Sequence, residues 1–280
     1  MVMHETRAER KKEKVKKMSA IFEIPGVFTG RALGLLLDIA VFVIVYYYLK
    51  SGKIPYVRRV AGLDAIEEAV GRSAEMGKPV MSTIGIDGFN YWTLAALTIL
   101  DHVARDCAKK GCRILVPTGG SDSSYIVRPV AEEIVKNAYK LEGKEEDYRP
   151  EDLPFLSGQQ YAYTGGVVGI IQRTKPGACI MVGGHHSEAM NIAETSNMAG
   201  ALTITSGTYM GNVAVLACAS DYILIGEETP AAGAYLSKDP AQRASIRCQD
   251  IYKGISIALI ILGTIVLNFG SNFFIQLLSS

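Results

Sequence analysis

The sequence predicts a Rossmann-like α/β domain, a mainly parallel sheet with helices on both faces, flanked by two transmembrane helices. Three observations predict it. Apolar runs of strand length alternate with helical segments through the middle of the chain, the pattern of strands buried on both faces. An apolar run near each end is long enough to cross the hydrocarbon core. Charge is also segregated: of 29 basic residues, seven fall within the first 18 positions, and no charged side chain follows Lys253. With 28 acidic residues the net charge is +1, and 49% of the residues are apolar. General disorder is thereby excluded, and nucleic acid is not expected as a partner.

Residues 1–26 form a basic N-terminal arm (Arg7, Arg10, Lys11, Lys12, Lys14, Lys16, Lys17), expected as a disordered charged terminus, with an interfacial segment on anionic lipid as the alternative. Residues 27–49 hold the first span. Its run ALGLLLDIAVFVIVYYYL has Asp38 as its only charge and, as a helix, covers about 27 Å. Tyr46, Tyr47 and Tyr48, followed by Lys50 and Lys53, mark the exit into headgroups and water. Residues 50–253 read as the water-soluble domain, and the uncharged residues 254–280 as the second span. A further uncharged stretch, 195–220, carries Ser196, Asn197, Thr203, Thr205, Ser206, Thr208 and Asn212. Lipid would have to accept all of these, so a buried strand followed by a buried helix is expected there. Two spans leave both termini on one side of the cell membrane and the domain on the other. Basic residues flank both ends of the first span, so their count does not orient it. An odd number of cysteines, five, and the lack of any Asn-x-Ser/Thr acceptor favour a cytoplasmic domain.

Within the domain, the β-branched run 57–60 reads as a short strand, followed by a helix over 63–76 with Ile66, Ala69, Val70 and Ala74 at helical spacing. Gly77-Lys78-Pro79 stops it. PVMSTI (79–84) is the next strand, 90–110 a helix closed by Gly111, and RILVP (113–117) another strand. A helix over 130–141, a polar linker 142–150 and a helix over 159–173 lead to the strand ACIMVGG (178–184). Then come a helix over 187–198, the strand ALTITSG, a helix over 212–219 and the strand DYILIG from Asp221. No breaker separates Pro240 from Ile255, so the last soluble helix is expected to continue into the second span.

Open parallel sheets bind ligands beyond the carboxyl ends of their strands. The polar residues in those places are Asp87, the turn 118–124, His185, His186, Glu188, Ser206, Thr208, Glu227 and Glu228. The turn TGGSDSS comprises Thr118, Gly119, Gly120, Ser121, Asp122, Ser123 and Ser124, whose N–H groups and hydroxyls suit a phosphate. It resembles the SGGxDS loop of the PP-loop ATP pyrophosphatases, with Thr118 in place of the first serine. The simpler reading is a strand-to-helix turn capped by Ser123 or Ser124. His186 and Glu188, with His185, have the chemistry of metal ligands or of an acid and base, but adjacent histidines at a strand exit do not readily face one ion. A capping or contact role is expected, and neither metal nor cofactor. Glu227 and Glu228 fit the positive end of a following helix. The cysteines lack C-x-x-C spacing, and Cys107 and Cys112 read as small apolar residues at a helix end.

The spans bear on partners besides the bilayer. Arg31 and Asp38 share a helix face, Asn268 and Asn272 lie in the second span, and two helices hardly enclose a buried acid. Gly254 and Ala258 form a small-xxx-small pair that permits close approach. A homo-oligomer, or a complex with other membrane subunits, is expected.

RRVAGLDAIEEAVGRSAEMGKPV, TLAALTILDHVAR, GQQYAYTGGVVGI and DYILIGEE with AAGAYLSKDP resemble a family of prokaryotic membrane proteins described only as a domain of unknown function, over about residues 56–267. The resemblance implies a membrane-tethered α/β domain and carries over no activity, cofactor or catalytic residue. The function expected is a homo-oligomeric membrane scaffold or docking assembly. The alternative is a membrane-tethered enzyme or sensor binding a nucleotide or other phosphorylated small molecule at the turn 118–124.

Overall fold

The computed structural model describes residues 29–51, 56–120 and 124–268. Two compact units form, one of Met1–Pro55 with Ala244–Ser280, the other Tyr56–Arg243. Helix α1 (Thr29–Ser51) belongs to the first, and helix α9 (Pro240–Asn268) runs unbroken into it, as the lack of a breaker predicts. Gly34–Ser51 and Pro240–Ile265 are long and apolar enough to cross a membrane. Asp38 lies within α1, and Gly254 and Ala258 within α9. Asn268 Nδ2 donates to the Thr264 carbonyl at 3.0 Å, folding its polar head onto its own helix. The basic arm, the Arg31 side chain and Asn272 lie outside the described residues.

The second unit is built on five parallel strands: β1 (Val80–Gly85), β2 (Ile114–Leu115), β3 (Ala178–Gly184), β4 (Leu202–Gly207) and β5 (Tyr222–Ile225), in the order β2-β1-β3-β4-β5. Between and around them come α2 (Ala61–Glu75), α3 (Tyr91–Lys110), α4 (Ser124–Leu141), α5 (Gln160–Thr174), α6 (Glu188–Met198), α7 (Met210–Ala219) and α8 (Glu228–Ser237). Every residue of β1 and β3 is buried, which is why these strands read as continuous apolar runs rather than alternating ones. Val80, Ile84, Ile180 and Ile204 pack with α2, α3, α4 and α8 on one face. Met81, Cys179 and Met181 pack with α5, α6 and Leu216 of α7 on the other.

Three expectations are corrected. Residues 57–60 are not a strand: they have no sheet partner, Val57 and Val60 are buried, and Val60, in extended backbone, is the N-cap of α2. Their β-branched character reflects burial rather than pairing. The helix expected from Val130 begins at Ser124 and contains Pro129. Pro129 is the sixth residue of this helix, past the first four N–H groups that lack an intrahelical acceptor, so the helix does without the bond that an N–H there would give the Tyr125 carbonyl. Finally, α7 is not a buried helix: of its residues only Leu216 is buried, while Met210, Val215 and Cys218 are exposed.

Gly111, at φ +66°, ends α3. Gly111 N–H donates to the Ala108 carbonyl at 3.2 Å and Cys112 N–H to that of Cys107 at 2.8 Å, a Schellman closure. Cys107 and Cys112 are buried and occupy the two positions that such a closure brings into contact, which accounts for the pair without redox chemistry.

A strap, residues 152–157, pairs with the segment 116–118 that continues β2. Val116 N–H donates to Asp152 O at 2.7 Å, Thr118 N–H to Pro154 O at 2.9 Å, and Leu156 N–H to Thr118 O at 2.9 Å. Arg113 anchors the strap by a two-pronged hydrogen bond to the buried Asp152 carboxylate, with Nε at 2.8 Å from Oδ2 and Nη2 on Oδ1. Replacing Arg113 by Ala strands that carboxylate, and the expected loss is about 2 kcal/mol, since the guanidinium is itself half-exposed. Urea unfolding of the detergent-solubilised chain measures it. A loss under about 0.5 kcal/mol, the size of an ordinary surface change, would mean that the backbone bonds alone hold the strap.

Candidate functional site: the crevice between β1 and β3

The chain leaves β1 toward β2 and leaves β3 toward β4 on the opposite side, so the β1/β3 exits form the switch point at which open parallel sheets of this kind place their ligand crevice. Register slips here: Thr83 pairs with Met181, but Gly85 with Gly184. The extra residue in β3 is a bulge, which re-aims the residues after it. The Gly184 carbonyl then accepts from Ile86 N–H at 3.0 Å and Asp87 N–H at 3.3 Å. A Cβ on Gly184 would fall on the Asp87 carboxylate, so only glycine lets the two exits approach.

The two histidines diverge. His185 is buried; its Nδ1–H donates to Gly183 O at 3.3 Å, and its Nε2 accepts from the Thr83 hydroxyl at 2.9 Å. Burial holds its pKa below the usual imidazole value, so it stays neutral. His186 turns outward, and its Nε2–H donates to Asp87 Oδ1 at 2.6 Å. The other oxygen, Oδ2, accepts from the Tyr209 hydroxyl at 2.6 Å and from Asn90 Nδ2 at 3.2 Å. Tyr209 also stacks on the His186 ring, with centroids 4.6 Å apart and planes 24° apart. Asn212 Nδ2 donates to the carbonyls of His185, at 3.1 Å, and His186, at 2.9 Å, pinning this turn to the start of α7.

Burial alone would raise the Asp87 pKa. The bonds from Tyr209 and His186, the His186 charge and the Asn90 bond together outweigh it and hold the carboxyl below its ordinary value. Conversely, the bond to Asp87, with burial, pushes Tyr209 up to about 12.

The other predicted site residues fall in several places. Glu188 is buried, accepting from His186 N–H at 2.9 Å and from Gln160 Nε2 at 2.6 Å, so it ties the turn before its helix to the first residue of α5. Thr118, Gly119 and Gly120 are buried beside β1, where Gly120, at φ +116°, lies against the Ile86 carbonyl. The N–H groups of the first and third are already engaged: Thr118 N–H and hydroxyl both donate to Pro154 O, and Gly120 N–H donates to Ser157 O at 2.9 Å. This half of the turn therefore fastens the strap instead of presenting those groups to a phosphate. Ser121, Asp122 and Ser123 lie outside the described residues. Glu227 is the N-cap of α8, after the edge strand β5 and two strands away from β3. Among the described residues no lysine or arginine bonds to Asp87, His186 or Glu188, and no group of three metal-ligating side chains is found. Sequence reasoning missed Tyr209, Asn90, Asn212 and Gln160. Tyr209 alone left a trace, as an aromatic residue just beyond the end of β4.

Because the folded pKa of Asp87 lies below its unfolded value of 3.8, its contribution to stability is complete above that pH and is lost as pH falls through the folded value. Tyr209→Phe removes one donor and raises the folded value. Acid unfolding, followed by circular dichroism, should then begin at higher pH; an unchanged midpoint would show that Tyr209 does not help keep Asp87 ionised.

No curated protein and no solved structure matches the chain. A family model described as a domain of unknown function matches residues 25–278, nearly the whole length. The chain therefore belongs to the family DUF6754.

Proposed function

We propose that the chain is an integral protein of the cell membrane, held by its two apolar helices with the α/β domain on the cytoplasmic side. In this reading copies associate through the edge formed by α7 and β5 and serve as a scaffold or docking surface. The observation that supports it is α7 itself, MGNVAVLACA, which has no charge and only Leu216 buried. Beside it, Tyr222 and Ile225 of the edge strand are exposed, and neither a lysine nor a proline protects that strand from pairing. Asp38 in the first span and the Gly254/Ala258 pair in the second favour further contacts within the bilayer, either between copies or with other membrane subunits.

A second reading, a small-molecule sensor or enzyme, is favoured by one observation: His186 is 43% exposed at the crevice while held from behind by Asp87. The centre of that site is the Asp87–His186 pair, with Gly120 nearby against the Ile86 carbonyl.

Native mass spectrometry of the full chain in mild detergent should give a homo-oligomer. Val215→Glu combined with Ile225→Glu should shift it to smaller species. A strictly monomeric wild type overturns the assembly, and an unaltered oligomer in the double variant overturns the α7–β5 edge as its site.

A further inference from the structure

We propose that His186 is the general base of the crevice, its Nδ1 taking the proton of a water or hydroxyl as that oxygen attacks the carbonyl carbon of a neutral ester. The proposal rests on the crevice being a small-molecule site.

Three features of the geometry support it. The first is orientation. Asp87 holds Nε2–H at 2.6 Å, which leaves the lone pair of the neutral ring on Nδ1, and Tyr209 stacked on the ring restrains its rotation. Among the described residues Nδ1 has no hydrogen-bond partner, and the side chain reaches solvent. The second is the engagement of three hydroxyls at the strand exits; a fourth, that of Thr208, is buried without a partner among the described residues. The hydroxyl of Thr83 is bonded to His185, that of Ser206 to Gly183 O and that of Tyr209 to Asp87. Asp87 itself accepts three donors and stays ionised, so it orients the ring and does not compete for the proton. The third is charge. Asp87 and Glu188 bond to no lysine or arginine among the described residues, so the crevice repels a phosphate dianion and admits an uncharged molecule.

In the step, the O–H bond of the attacking group breaks and its proton passes to Nδ1. The new C–O bond forms, the C–O bond to the leaving group breaks, and the leaving oxygen takes the proton back from Nδ1–H. The imidazole is regenerated, and no further reactant is needed.

The test is hydrolysis of p-nitrophenyl acetate by the full chain in detergent. Wild type should exceed the buffer rate. The ionisable groups facing that ring are Asp87 from the β1 exit, Tyr209 from the start of α7, and His185 and Glu188 from its own turn. His186→Gln should fall to the buffer rate. Asp87→Asn should fall at least about tenfold, because an amide can donate to the ring and stabilise the wrong tautomer. His102→Gln, on α3 beside Glu67 and Asp106, should be unaffected. Equal rates for wild type and His186→Gln overturn the proposal, as does full activity in Asp87→Asn. If Asp87→Asn does not fold, carbethoxylation of the wild-type chain by diethyl pyrocarbonate decides: His186 should react at least about tenfold faster than His102, and equal or slower reaction overturns it. Thermal shift with p-nitroacetophenone, which has no leaving oxygen, separates the two claims. Stabilisation without hydrolysis rejects the base and retains the site, whereas neither effect rejects both.

Discussion

The carboxylate of Asp87 gathers three segments that the chain delivers from different places. Asn90 comes from the cap of α3, His186 from the exit of β3 and Tyr209 from the exit of β4, and all three donate to it. A half-buried carboxylate without such donors would be unfavourable, and the donors would point in unrelated directions without the carboxylate. The glycine at 184 and the bulge before it have the same purpose, since both shorten the distance between the exits of β1 and β3. The orientation of the exposed imidazole, the depressed pKa of Asp87 and the raised pKa of Tyr209 all depend on this one group.

Much of the fold is legible in the sequence because its information is local. The strands at 80–85, 178–184 and 202–207 are apolar and of strand length, and the helices between them carry their own stop signals, such as Gly111. The strand order is not local. Neither is the difference between a β-branched segment that pairs and one that only buries its valines, which is why 57–60 reads as a strand. Composition likewise cannot separate an apolar helix packed on all sides from one at a sheet edge, and α7 is the second kind.

The crevice is half legible. Asp87 and His186 follow strand ends and are visible as such, but their pairing spans 99 residues and depends on the bulge and on Gly184. The turn beginning at Thr118 is recognisable as a tight glycine turn, yet its N–H groups meet Pro154 and Ser157 in a strap some 36 residues further on. A short motif describes what a backbone offers and is silent on what has already accepted it.

The two margins of the sheet are unequal. The strap at 152–157 pairs with the segment 116–118 that continues β2, while among the described residues no further strand pairs with β5. A fibre grows by stacking unlike faces, so it requires a donor rim and an acceptor rim on every copy. With one rim so paired, strand-to-strand joining can only bring like to like about a twofold axis, and it ends there. Were copies to join along that rim, such a sheet would complete itself as a closed pair instead of propagating.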